Sequence, residues 1–190
     1  VSLGMLGLSY RERYLQDRFT TLDRFNTIEY NRDYNITNNT PQNETLREAK
    51  IFLQPTEQIK ADLNYGFLKR GDVFKSNRYF GNIELNQVKE YQVTYDYDFV
   101  NTTDISLRSK WFKQNARASY TLGKWEPGLD FLYDDRNQWN SISDSLSTES
   151  HKYSEAGAFL NIINIGGINF NTRLSLRDES FPLAGVMEKE

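Results

Sequence analysis

The carboxylates are the first side chains in this sequence that could do chemistry. Asp96 and Asp98 alternate along Tyr91-Gln-Val-Thr-Tyr-Asp-Tyr-Asp-Phe99. On an extended chain they share one face about 7 Å apart, a separation that acid–base hydrolysis of a glycoside could use. Asp130, Asp134 and Asp135 gather near the end of another alternating run, and oxygen ligands at that density make a candidate calcium site, although no EF-hand pattern is present. Against both stands the ordinary behaviour of a half-buried sheet, in which alternating Asp, Lys, Arg and Gln pair across strands, here Asp96 or Asp98 with Arg108 or Lys110. The chain is therefore expected to be non-enzymatic and to hold no cofactor. His151, the one histidine, stands between Glu149 and Glu155 in a Ser-rich stretch and is expected to be solvated. Gly-x-Ser-x-Gly, phosphate-cradling glycine loops and His-x-x-x-His pairs do not occur, so nucleophilic, nucleotide and zinc chemistry lack their minimum parts. There is no cysteine, hence no thiol nucleophile, disulfide or Cys-ligated metal.

The aromatic residues are the second group of interest. Trp111, Trp125 and Trp139 could stack on sugar rings or on a protein partner, Trp139 above all because it stands in a polar stretch with no core to join. A formal charge of -3 and a pI near 5.4 exclude a nucleic-acid binder driven by phosphate neutralisation. Asn-x-Ser/Thr patterns at Asn35, Asn38, Asn43 and Asn101 matter only in a eukaryotic secretory pathway.

What positions these residues is alternation with period two. Besides Tyr91–Phe99, it runs through Ile59, Ala61, Leu63, Tyr65 and Phe67 with Lys60, Asp62 and Asn64 opposite. It returns at Ile105, Leu107 and Trp111 against Ser106, Arg108 and Lys110, then on even numbers at Ala116, Ala118, Tyr120 and Leu122. The last runs are Leu129, Phe131, Tyr133 and Ile168, Phe170, Leu174, Leu176. Turn signals recur about every ten residues, including Gln54–Glu57, Arg70–Asp72, Gln87–Glu90, Asn101–Asp104, Lys113–Asn115, Gly123–Pro127 and Gly166-Gly167. The spacing leaves no room for crossover helices and predicts an all-β antiparallel meander of about eight to ten long strands. Residues 35–45 and 134–152 read as long polar loops. Leu15, Phe19, Leu22 and Phe25 have helical spacing, but the Thr, Tyr, Phe and Asn density through Phe19–Tyr34 favours extended chain.

Such strands have two stable settings. In water the apolar face must be covered, giving a soluble β-sandwich or a closed barrel; in an outer membrane it meets lipid while the polar face lines a wet lumen. Runs of nine to eleven residues suit a membrane-crossing strand, and aromatics near strand ends suit interfacial girdles. Short turns alternate with longer connections from Gln54 to Gly123, as in barrels, but the long Asp134–Lys152 connection then falls where a short turn is due.

Leu22-Asp-Arg-Phe-Asn-Thr-Ile-Glu-Tyr-Asn-Arg-Asp-Tyr-Asn35, the Asn/Thr-rich stretch after it, and Leu63-Asn-Tyr-Gly-Phe-Leu-Lys-Arg-Gly-Asp72 with Ser76-Asn-Arg78 resemble very large envelope proteins of Bacteroidetes-type bacteria. The resemblance covers two short phrases and the strand texture of about two thirds of the chain. It implies an outer-membrane β-barrel location and a structural, transport or display role, with no catalytic residue to carry over. Residues 1–190 are accordingly expected to be a single all-β segment, an excerpt of a longer chain, with the bilayer or further barrel strands as partners. The alternative is a secreted or periplasmic adhesion module that binds glycan or protein through its loops and tryptophans.

Overall fold

In the computed structural model, the described residues are 5–16, 34, 43–88, 90–165, 168–182 and 186–189. They form ten strands: β1 (Met5–Leu15), β2 (Glu44–Thr56), β3 (Ile59–Arg70), β4 (Phe74–Val88), β5 (Tyr91–Thr103), β6 (Leu107–Tyr120), β7 (Trp125–Asn140), β8 (His151–Ile165), β9 (Ile168–Phe181) and the short β10 (Val186–Lys189). All ten lie in one sheet in chain order, every pair antiparallel. The meander expected from the alternation is present, and no described residue is helical. The sheet is open: β1 and β10 lie at opposite edges. The Gly166-Gly167 turn, residues 35–42 of the loop expected over 35–45, and the choice between helix and strand for Phe19–Asp33 fall outside the described residues; Glu44 and Thr45, expected in that loop, instead open β2 and pair with both neighbours.

Because neighbouring residues point to opposite sides of a strand, the register sorts side chains into two faces. One carries Leu6, Leu8 and Tyr10 of β1, Ile51 and Leu53 of β2, Leu63 and Tyr65 of β3, Tyr79 and Ile83 of β4, Val93–Phe99 at odd numbers on β5, and Phe112, Ala116, Ala118 and Tyr120 of β6. Leu129, Phe131 and Tyr133 of β7, Ala156 and Ala158 of β8, and Leu174 and Leu176 of β9 continue it. This apolar face is uncovered: Leu8 is 74% and Leu174 77% exposed.

Near one end of the sheet an unbroken run of aromatic pairs spans β3–β7. Centroid distances are 5.0 Å for Tyr65–Tyr79, 6.3 Å for Tyr79–Phe99, 6.3 Å for Phe99–Phe112 and 6.2 Å for Phe112–Tyr133. Near the other end Tyr91 meets Tyr120 at 4.8 Å. Phe99 and Tyr91 stand eight residues apart on β5, about 26 Å at an ordinary strand rise. Between these two aromatic limits the apolar face of β1–β9 bears no Asp, Glu, Lys or Arg.

Three expectations change. Residues 113–115 do not turn, because β6 is paired along its whole length with both neighbours. Trp111 therefore shares a face with Lys113, Asn115 and Arg117 rather than with the apolar residues. The loop expected over 134–152 shrinks to 141–150: β7 stays paired to Asn140 and β8 begins at His151. Both faces are polar at that height, so hydrophobic alternation fades while backbone pairing persists. Even the remaining connection is organised, with Asn140 N donating to Ser145 O at 2.9 Å, Ser147 N to Gln138 O at 2.6 Å, and an Asx turn from Ile142 N to Asn140 Oδ1 at 2.9 Å.

With these boundaries the connections sort by end. Residues 57–58, 89–90, 121–124 and 166–167 close one end, the short-turn end. The other, the loop end, carries 71–73, 104–106, 182–185 and the two longest connections, 16–43 and 141–150. The apparent break in the short–long rhythm came from counting 113–115 as a turn.

Candidate functional site

The opposite face concentrates the charge. Across β1–β9 its Arg and Lys residues are matched in number by Asp and Glu. Each side chain projects from a paired strand, so its neighbours are set by register. Arg78 of β4 reaches across to Asp98 of β5 with two hydrogen bonds, Nε at 3.0 Å and Nη2 at 2.7 Å. Asn82 donates to Asp96 at 2.7 Å, and Lys50 lies 2.6 Å from Asp62. Arg173 of β9 spans β8 to hold Asp130 of β7 at 2.6 Å and Glu155 of β8 at 2.7 Å. Its path crosses Gly157, which pairs directly with Asp130; a Cβ there would overlap the Asp130 carboxylate and crowd the Arg173 guanidinium.

A second motif is the stacked arginine. Arg78 lies 4.4 Å from the centre of Phe80, Arg117 4.1 Å from Phe159, Arg136 4.2 Å from Trp111 and Arg177 5.1 Å from Tyr153. Each pair combines cation–π attraction with cover for an apolar ring on a polar face. Phe159 also fills the notch above Gly128, its register partner. Two hollows lie along this face. One of about 530 Å³ is lined by Thr94, Asn115, Arg117, Asp130, Glu155 and Arg173 among others; the second, of about 510 Å³, by Lys50, Asp62, Arg78, Asp96, Asp98 and Lys113 among others.

The loop end of this face is capped from above. Tyr34, from the connection between β1 and β2, is 4% exposed and joins Leu46, Leu68 and Phe74 in a small core. Its carbonyl accepts from Thr102 Oγ1 at 3.2 Å and its hydroxyl donates to Glu48 at 3.4 Å. Gly66 leaves room for that hydroxyl, which any Cβ would overlap. Leu68, Ser76, Val100 and Thr102 beneath it are all at 1% exposure or less, and Ser76 and Thr102 share a 3.0 Å hydrogen bond.

The residues singled out by sequence are dispersed. Asp96 and Asp98 share a face, but their cross-strand partners are Asn82 and Arg78. Arg108 and Lys110, the expected partners, pair instead with Thr103 and Asn101 on the other face. Asp130 and Asp134 share the polar face, each held by its own arginine, while Asp135 points to the other face and bonds Asn137 at 2.7 Å. Among the described residues no group of three His, Cys, Asp or Glu is placed to hold a metal. His151 opens β8 and stacks on Phe181 at 5.9 Å instead of standing in a loop.

The tryptophans occupy three places. Trp111, on the charged face, donates its indole N–H to Asp134 at 2.6 Å. Trp125 starts β7 at the short-turn end on the apolar face, 47% exposed. Trp139 is in β7 near the loop end, bridged to Leu146, with Arg108 at 6.0 Å. They form no shared platform. Sequence reasoning missed Tyr34 and the arginine stacks; the signal for the latter was an aromatic at a polar-parity position, as in Arg78-x-Phe80.

Comparison of the chain with protein-family models, curated proteins and solved structures returns no match.

Proposed function

We propose that the chain is a wall segment of a bacterial outer-membrane β-barrel, non-enzymatic, with its uncharged face toward lipid and its charged face toward a wet lumen. The observation that carries this reading is the uncharged band between two aromatic limits, about 26 Å long along the strands, which at the roughly 40° tilt of barrel strands is about 20 Å of height, within the apolar belt of roughly 25 Å that aromatic girdles flank on outer-membrane barrels. A soluble sheet would have to cover that face, yet large apolar side chains stand exposed on it in β1–β5, β7 and β9. Both of the longest connections, 16–43 and 141–150, leave from one end, which supports the same orientation, loops outward and turns toward the periplasm. The role that fits is passage, anchoring or display within a larger barrel, with closure supplied by further strands.

Two single-tryptophan variants test the reading in vesicles of brominated phosphatidylcholine. With Trp125 alone, fluorescence should be strongly quenched, since that indole stands on the lipid side. With Trp111 alone, quenching should be slight, since Asp134 and Arg136 hold it on the lumen side. A chain that stays folded and monomeric in detergent-free buffer overturns the proposal.

A further inference from the structure

Beyond the aromatic run at the loop end, the apolar face changes character in two steps. The register stacks three rows across β3–β6. The first is Tyr65, Tyr79, Phe99 and Phe112; the second Phe67, Asn77, Asn101 and Lys110; the third Lys69, Lys75, Thr103 and Arg108. Successive rows are two residues apart, about 7 Å along the strands. The cation rows thus lie about 7 and 14 Å along the strands beyond the aromatic centres, about 5 and 11 Å of height at a barrel tilt of roughly 40°, so that the nearer row is level with the headgroup layer and the long lysine side chains of the farther row can reach back to it.

Three of these cations lack a counter-ion among the described residues. Arg108 is paired with Asp144. Lys69, Lys75 and Lys110 have no ion pair among the described residues, and Lys69 and Lys75 are direct cross-strand partners. Two like charges set opposite each other are unfavourable unless an anion lies between them. Asp72 and Asp104, in the adjoining connections, pair with none of the three. On β1–β9, the described part of the outward face beyond the band has Arg47, Lys69, Lys75, Arg108, Lys110 and Lys152 against Glu12, Asp135 and Asp178. That local excess stands out in a chain whose formal charge is -3.

We propose that Lys69, Lys75 and Lys110 form a binding site for the phosphate of an anionic lipid headgroup, whose acyl chains lie along the Tyr79–Phe99–Phe112 surface. The inference rests on the barrel reading, because only there does this face border a bilayer. The three ammonium groups supply the charge attraction, and Asn77 and Asn101, one row below, supply neutral hydrogen-bonding groups beside the glycerol region.

The test uses the full chain inserted into phosphatidylcholine vesicles containing a minor share of phosphatidylglycerol. Protein is extracted with its surrounding lipid, and the phosphatidylglycerol fraction is compared with the bulk. Wild-type protein should retain an excess of the anionic lipid. The triple variant Lys69→Gln, Lys75→Gln, Lys110→Gln should lose it, by up to roughly fivefold per lysine removed. Lys60→Gln, on the charged face, should leave the excess intact. Insertion without any excess, or an excess that the triple variant keeps, overturns the lipid site while leaving the barrel reading in place. Loss of the excess on adding inorganic phosphate overturns the assignment to lipid in favour of a free-anion site. A chain that inserts into neither lipid mixture overturns both.

Discussion

Ala116 stands at the middle of the uncharged band, level with Tyr95 on one side and Phe131 on the other, four residues from each aromatic limit on its own strand. Replacing it with arginine adds bulk on an open face and creates no cavity, so in a water-facing sheet the change should stay within about 0.5 kcal/mol, as surface substitutions do. In a bilayer the same guanidinium sits near the midplane, where arginine on an outer-membrane barrel costs about 2–4 kcal/mol. At 1.4 kcal/mol per factor of ten, that is on the order of thirtyfold to several hundredfold in the folding equilibrium. Ala118, two residues nearer the short-turn limit, should cost less, because the penalty falls toward the interface. Asn115→Arg supplies the control: it lies on the charged face opposite Asp96 and should be neutral or slightly stabilising. Equilibrium urea unfolding of the vesicle-inserted chain measures all three. Equal costs for Ala116→Arg and Asn115→Arg, or a rise in cost from Ala116 to Ala118, would refute the lipid-facing assignment.

Two further outcomes probe the charged face. Gly128→Val should push into the ring of Phe159, which fills that notch, and lower stability by about 1–3 kcal/mol as overpacking does; adding Phe159→Ala should recover part of the loss, read from the same urea curves. Arg173→Ala removes the one cation shared by Asp130 and Glu155. A double-mutant cycle with Asp130→Ala should give a small favourable coupling, modest because the guanidinium is about half exposed; zero coupling would show that the pair contributes nothing in solution.

The sheet was legible because hydrophobic period two survives wherever one face is apolar, as on β3 and β5. It failed as a guide where that contrast vanished. Around Asp135–Asn140 both faces are polar, so a strand looked like a loop. At Trp111 an aromatic ring that buries itself under Arg136 and bonds Asp134 mimicked an apolar position, and the parity of the next residues then demanded a turn at 113–115 that backbone pairing does not make. The pairing of carboxylates across strands was foreseeable in kind and not in partner: strand offset decides whether Asp98 meets Arg78 or Arg108, and offset is set by turn lengths that composition leaves open. Tyr34 was out of reach for a different reason, since its role depends on a glycine more than thirty residues away.

The outer edge of β1 carries a consequence of a kinetic kind. From Met5 to Tyr10 that edge strand has no charged residue and no proline, the devices by which edge strands usually discourage unwanted pairing; Arg11, Glu12 and Arg13 protect only its second half. Its backbone groups and the neighbouring Leu6, Leu8 and Ile51 are exposed together. On the proposed barrel reading, such an edge invites strand addition from any other unfolded chain between synthesis and insertion. The yield of assembled protein should therefore be decided by a race between insertion and aggregation, sensitive to concentration and to escort by a holding chaperone, well before the equilibrium stability of the finished wall has any say.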